Sequence, residues 1–178
     1  TVNSTTITGS LSDINTAYDA NTAGTITGLG AESVTVSDAG TVSAADLNSV
    51  NGLTTGVITA TGVTSVTGTL EEIKTAYAAN SAGTISGLGD EAISISDLGT
   101  IVSASDVTDI EALTTGTVTV AISGTSSTAA SLISLDASSS QAINAGGVVT
   151  LTGAAADINT VYESDGVTGL GDEAVTLT

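Results

Sequence analysis

Nineteen carboxylates stand against a single cation, Lys74, in a chain of 178 residues that has no histidine and no cysteine. Carboxylates can hold a hard metal ion, work as an acid–base pair, or cap a helix. Five of them, Asp13, Asp46, Glu72, Asp106 and Asp157, lie three positions after a small or hydroxyl residue and just before Ile, Leu or Val. That is the capping-box pattern, in which the acid accepts from free N–H groups and faces the positive end of the helix dipole. These five are read as helix caps. The candidate metal ligands are Glu32, Asp38, Asp90, Glu91, Asp97, Asp172 and Glu173, which recur at one place in a repeat and would form a column of oxygens. Calcium, which takes roughly six to eight oxygens, is the ion such a column would suit. Neither a D-x-D-x-D-G loop nor a G-G-x-G-x-D nonapeptide is present to support it. No other cofactor is expected.

Catalysis has little material. Without His or Cys, a Ser–His or Cys–His nucleophile cannot be assembled. A carboxylate pair can hydrolyse glycosides, but these acids return with the repeat, whereas an active site is a singular break in a pattern. The chain reads as a non-enzyme. Gly28-Leu29-Gly30 and its copies look like the start of a dinucleotide fingerprint, yet the third glycine is replaced by Ser33, Ala92 and Ala174. With no basic residue nearby and a strand to follow, they are turn glycines. Thr-x-Thr pairs such as Thr59 and Thr61 invite an ice-binding reading, but threonine is a preferred strand residue anyway.

The elements that would position these groups come from repetition. Gly-Leu-Gly-x-Glu, followed by alternating aliphatic and hydroxyl residues, begins at Gly28, Gly87 and Gly169. A second phrase precedes each copy and ends at Tyr18, Tyr77 or Tyr162, the only aromatic residues. Internal repetition must be settled first, because it dictates architecture. Helix starts are expected at Ser10, Ser43, Thr69, Ser103, Thr128 and Ala154, with apolar residues at helical spacing behind them, as in Leu11, Ile14 and Tyr18. Alternating segments such as Val34–Ser37 and Ile93–Ser96 read as strands with one aliphatic face. A lone turn of chain buries too few aliphatic side chains to offset the entropy of ordering it, so turns must share a core.

The expected fold is therefore mainly β: a parallel β-solenoid of about six coils with one short helix per coil. The coils would span 10–42, 43–68, 69–102, 103–127, 128–153 and 154–178, one repeat array over 1–178. The alternative is a string of small tandem α+β domains of about 60 residues.

The formal charge of −18 argues against nucleic acid and against an anionic membrane surface. No apolar run is long enough to insert in a membrane. The phrases Ala155–Tyr162 and Gly169–Thr178 resemble tandem repeats of very large secreted or cell-surface bacterial proteins, adhesin-like and haemolysin-type, cyanobacterial in flavour. The resemblance implies an extracellular location and a structural or adhesive role. The expected function is a component of a fibre, sheath or surface appendage, its partner being itself in head-to-tail or lateral contacts. The alternative is an adhesin recognising a glycan or surface, or a calcium-stabilised spacer.

Overall fold

A computed structural model describes residues 4–98 and 103–178, with side chains throughout except at 97, 98 and 123–125. The chain divides into two compact units, Thr1–Glu91 and Ala92–Thr178.

The first unit runs β1 (Thr6–Gly9), α1 (Leu11–Thr22), β2 (Ser33–Val36), β3 (Thr41–Ser43), α2 (Ala44–Leu53), β4 (Ile58–Thr59), β5 (Ser65–Gly68), α3 (Leu70–Ala82) and β6 (Ile85–Ser86). Strands β1, β2, β4 and β6 pair in that order, all parallel. Strand β3 pairs in parallel with β5. Helix α2 packs between α1 and α3. The register brings like onto like: Val34 faces Ile58, Ile58 faces Ile85, and Val42 faces Val66. These residues are buried and form the core with Leu47, Val50 and Ile73 from the helices.

The second unit runs β7 (Ala92–Leu98), α4 (Ala104–Glu111), β8 (Val118–Thr128), α5 (Ala129–Ser138), β9 (Ile143–Gly153), α6 (Ala155–Glu163), β10 (Val167–Thr168) and β11 (Ala174–Leu177). Strand β8 lies parallel between β7 and β9, with register shifts between Ala121 and Ser126. The long β9 carries β10 along Ile143–Asn144 and β11 along Thr150–Gly153.

This overturns the expected β-solenoid. The protein is α/β, with two parallel sheets and six helices among the described residues, 37% helical and 30% strand. Nor is it the α+β alternative, because helices alternate with strands and every described pairing is parallel. The helices run from 8 to 13 residues, and within each unit they pack on one another rather than each making a corner on a turn. Their Ala, Ser and Thr content gives them a weak amphipathic signature, while β-branched alternation in the strands is loud. Several strands are in fact only two residues long.

Local capping explains where the helices begin. All six have their N-cap at the residue the sequence indicates. Thr69 with Glu72 and Ser103 with Asp106 close full capping boxes. Ala154 alone offers no side-chain oxygen, although Asp157 stands in the first turn of α6. Ala154→Ser therefore supplies a missing acceptor and is expected to raise stability by about 1 kcal/mol, read from urea unfolding.

Ser127 marks a second local flaw. It is buried, and its hydroxyl has no hydrogen-bond partner. It pairs with Leu151 across the strands, where the corresponding pair in the first unit is Val42 with Val66. Burying an unsatisfied hydroxyl costs free energy that a methyl group does not. Ser127→Val should stabilise the second unit by about 1 kcal/mol, measured as a rise in the urea midpoint at unchanged slope.

Candidate functional site

The two repeated phrases meet in space. In α1, Leu11, Ile14 and Tyr18 share the buried face, as residues three or four apart on a helix must. This aims the Tyr18 hydroxyl at the phrase beginning with Gly28. There it donates to Glu32 Oε2 at 3.2 Å, and the Gly30 N–H donates to the same oxygen at 2.8 Å. The glycines are needed for this: φ is 98° at Gly28 and 135° at Gly30, values that side-chain-bearing residues rarely adopt. They fold the chain back so that the Gly30 N–H points at the carboxylate. Asn21, one helical turn beyond Tyr18, ties the same loop by accepting from the Leu29 N–H at 3.1 Å. Its amide donates back to the Leu29 carbonyl at 3.5 Å.

The second copy repeats the clamp. Tyr77 and the Gly89 N–H each donate to Glu91 Oε2 at 2.8 Å. Asn80 brackets Leu88, at 3.2 Å from its N–H and 3.1 Å from its carbonyl. In the third copy Tyr162 donates to Glu173 Oε1 and Gly171 N–H donates to Oε2 at 2.8 Å. The separation from Tyr to Glu falls from 14 residues to 11, and Asp165 stands where the bracketing Asn would be.

Burial separates the copies. Glu32 is 3% exposed and Glu91 is buried, whereas Tyr162 is 45% exposed. Desolvation alone would raise the Glu32 pKa, but N–H groups of Gly30, Glu32 itself and Ala31, with the Tyr18 hydroxyl, outweigh it. Its carboxyl is held below the ordinary glutamate value, as Glu173 is by the corresponding groups. Burial, with Glu32 adding to it, pushes Tyr18 up. The hydrogen bond to Glu173, then desolvation, push Tyr162 up to about 12. An absorbance titration of tyrosinate should accordingly show one transition near pH 12 that Tyr162→Phe removes. Because this folded pKa is raised, whatever stability the pair contributes is present below pH 10 and lost as pH rises through about 12.

Several of the proposed metal ligands are thus already engaged. Glu32, Glu91 and Glu173 each serve their own tyrosine and glycine. Asp38 accepts from the Leu11 N–H at 2.8 Å and caps α1 from the strand region. Asp90 and Asp172 are exposed, and the Asp97 side chain lies outside the described residues. Among the described residues, no three acids come together as a metal-holding group.

Other polar residues carry ties that the sequence did not announce. Glu111 Oε1 accepts from Ser139 Oγ at 3.0 Å and from the Ser140 N–H at 2.9 Å. Asp136 Oδ2 accepts from Ser164 at 2.6 Å. Asn48 donates to the Glu72 carbonyl at 2.9 Å, and Thr54 to the Glu32 carbonyl at 2.7 Å. The described side-chain hydrogen bonds that reach beyond a single clamp span between 22 and 29 residues, close to the step from one helix start to the next, as from Ser43 to Thr69. The signal available beforehand was the equal Tyr-to-Glu spacing in the first two copies, with Asn three residues past each tyrosine.

Chemically, the arrangement aims a carboxylate oxygen at fixed donors, and at Glu32 and Glu173 it favours the ionised form. Comparison with protein families, curated proteins and solved structures finds no match to this chain. No helix among the described residues is long and apolar enough to cross a membrane.

Proposed function

We propose that the chain is a structural element of an extracellular fibre, sheath or surface appendage, in which acidic repeats are joined in series. The observation that carries this reading is where the polar side chains are used. Acids and amides bind the loop of their own repeat or reach 24 to 28 residues along the chain, about the step from one helix to the next. Parallel ladders with like residues in register supply the remaining cohesion. Such a construction resists extension and offers the same contacts again at each step. The charge of −18 gives each element a repulsive exterior that keeps neighbours from lateral clumping. The resemblance to repeats of large bacterial surface proteins supports the extracellular placement. In this reading the protein has no catalytic task, and its clamps keep repeats in register under load.

The test is immunogold labelling of intact cells that make the protein, with antibody raised against the folded chain. Gold decorating surface filaments or sheath is the expected outcome. Label confined to the cell interior would overturn the proposal.

A further inference from the structure

The helices of the second unit lie side by side and point the same way. Strands β8 and β9 are parallel, with Thr128 opposite Thr152, and lead into α5 and α6. The two helices start level. A Cβ built on Gly153, two residues before α6, would lie 3.0 Å from the Cβ of Ala129, the first residue of α5. Helix α5 packs between α4 and α6.

Their far ends are level too. Glu111, the last residue of α4, accepts at 2.9 Å from the Ser140 N–H, just beyond α5. Asp136, in the last turn of α5, accepts at 2.6 Å from the hydroxyl of Ser164, the C-cap of α6. Each acid clips the end of its own helix to the end of the next.

These clips place charge where the helix backbone disfavours it. The C-terminal end of a helix carries about half a negative charge, and level parallel helices set three such ends together. Glu111, Asp136 and Glu163 each add a carboxylate in a last turn, and none of the three last turns has a base. The unit has ten carboxylates and no cation, because Lys74 lies in the first unit. The first unit is arranged differently. Among its helices only α1 has an acid in its last turn, Asp19.

Distance decides how strongly these ends repel. Packed helix axes lie about 8–10 Å apart, against a screening length of about 30 Å in 0.01 M salt and about 3 Å in 1 M. Neighbouring ends therefore feel each other in dilute solution and hardly at all in concentrated salt.

We propose that the second unit is an ionic-strength switch. In salt the Glu111 and Asp136 clips hold α4, α5 and α6 together. In dilute solution repulsion among the same carboxylates loosens these helices while the first unit stays closed. The device works through screening by the ion atmosphere, with no bound ion as part of it. Both clips lie inside the unit, and the switch does not depend on the fibre reading.

The test is amide hydrogen exchange on the intact chain at one pH, in about 0.01 M and about 1 M sodium chloride. Between the two, protection in α4–α6 should rise about tenfold or more, and in α2 and α3 by less than about threefold. Glu111→Gln combined with Asp136→Asn keeps an oxygen for each serine and removes two charges. At low salt this double variant should approach the protection that the wild type reaches at high salt. Magnesium chloride at equal ionic strength should act as sodium chloride does. An equal salt response in the two units would overturn the switch. So would a double variant that keeps the wild-type salt response, or one that loses protection at both concentrations. A magnesium effect far above that of sodium would assign the stabilisation to a bound ion and overturn it as well.

Discussion

Gly56→Ala is expected to destabilise the first unit by about 3 kcal/mol. The new methyl carbon would lie 2.1 Å from the Glu32 carbonyl oxygen, 2.4 Å from its carbon and 2.7 Å from the Ser33 nitrogen. All three are backbone atoms, so no side chain can swing aside. Relief requires β4 to move off β2, which breaks the Thr54–Glu32 and Val34–Val57 hydrogen bonds together. Gly52 provides the contrast. It lies inside α2, and a Cβ there meets nothing within 4 Å. Gly52→Ala should stabilise by about 0.5–1 kcal/mol, because alanine loses less backbone entropy in a helix. Urea unfolding of both variants separates a packing cost from a general effect of removing glycine. Similar midpoints for the two would refute the close-approach argument.

Removing the carboxylate at Glu32 comes next in size. Glu32→Ala leaves the Gly30 N–H and the Tyr18 hydroxyl with a buried acceptor missing, at a cost of about 2–4 kcal/mol. Glu32→Gln keeps an oxygen in place and should cost about 1 kcal/mol. Glu173→Ala, in the exposed third copy, should cost less than Glu32→Ala, since water replaces the lost partner there. The pH dependence has a definite sign. The folded pKa of Glu32 is depressed, so its contribution is present above the ordinary value of 4.5 and disappears as pH falls through the lower folded value. Unfolding free energies of Glu32→Gln should therefore fall less steeply than wild type below pH 4.5. An acid limb unchanged in slope would show that Glu32 is not the group held ionised.

Local physics was legible in the sequence, and tertiary physics much less so. The helix starts at Ser10, Ser43, Thr69, Ser103, Thr128 and Ala154 follow from residues within one turn of each other, since capping is a short-range interaction. The turn role of the Gly-Leu-Gly phrases follows likewise from glycine's freedom. The balance of helix and strand did not emerge. Val34–Ser37 advertises a strand through its alternation, whereas the helix expected to start at Thr128 hides its ten-residue length in small and hydroxyl residues.

The clamp was half visible. Tyr and Glu each stood out as the fixed points of separate phrases, but nothing in one phrase points to the other across 14 residues. Glu111 and Asp136 were invisible because their partners, Ser139 and Ser164, lie 28 residues away and share no local signature. A column of calcium ligands was only a weak reading of the recurring acids, with no calcium-binding motif behind it. The structure instead gives Glu32, Glu91 and Glu173 separate donors of their own.

The central claim is that the Tyr–Glu–Gly clamp is an element of structure whose strength depends on being covered. Amide hydrogen exchange on the intact chain tests it at three glycine N–H groups. Gly30 and Gly89 donate to buried carboxylates and should exchange only with cooperative opening, while Gly171, beside a half-exposed tyrosine, should exchange much faster. In Glu32→Gln, the Gly30 amide should lose protection ahead of the rest of its unit. Fast exchange at all three, or protection of Gly30 that is indifferent to Glu32→Gln, would contradict the account.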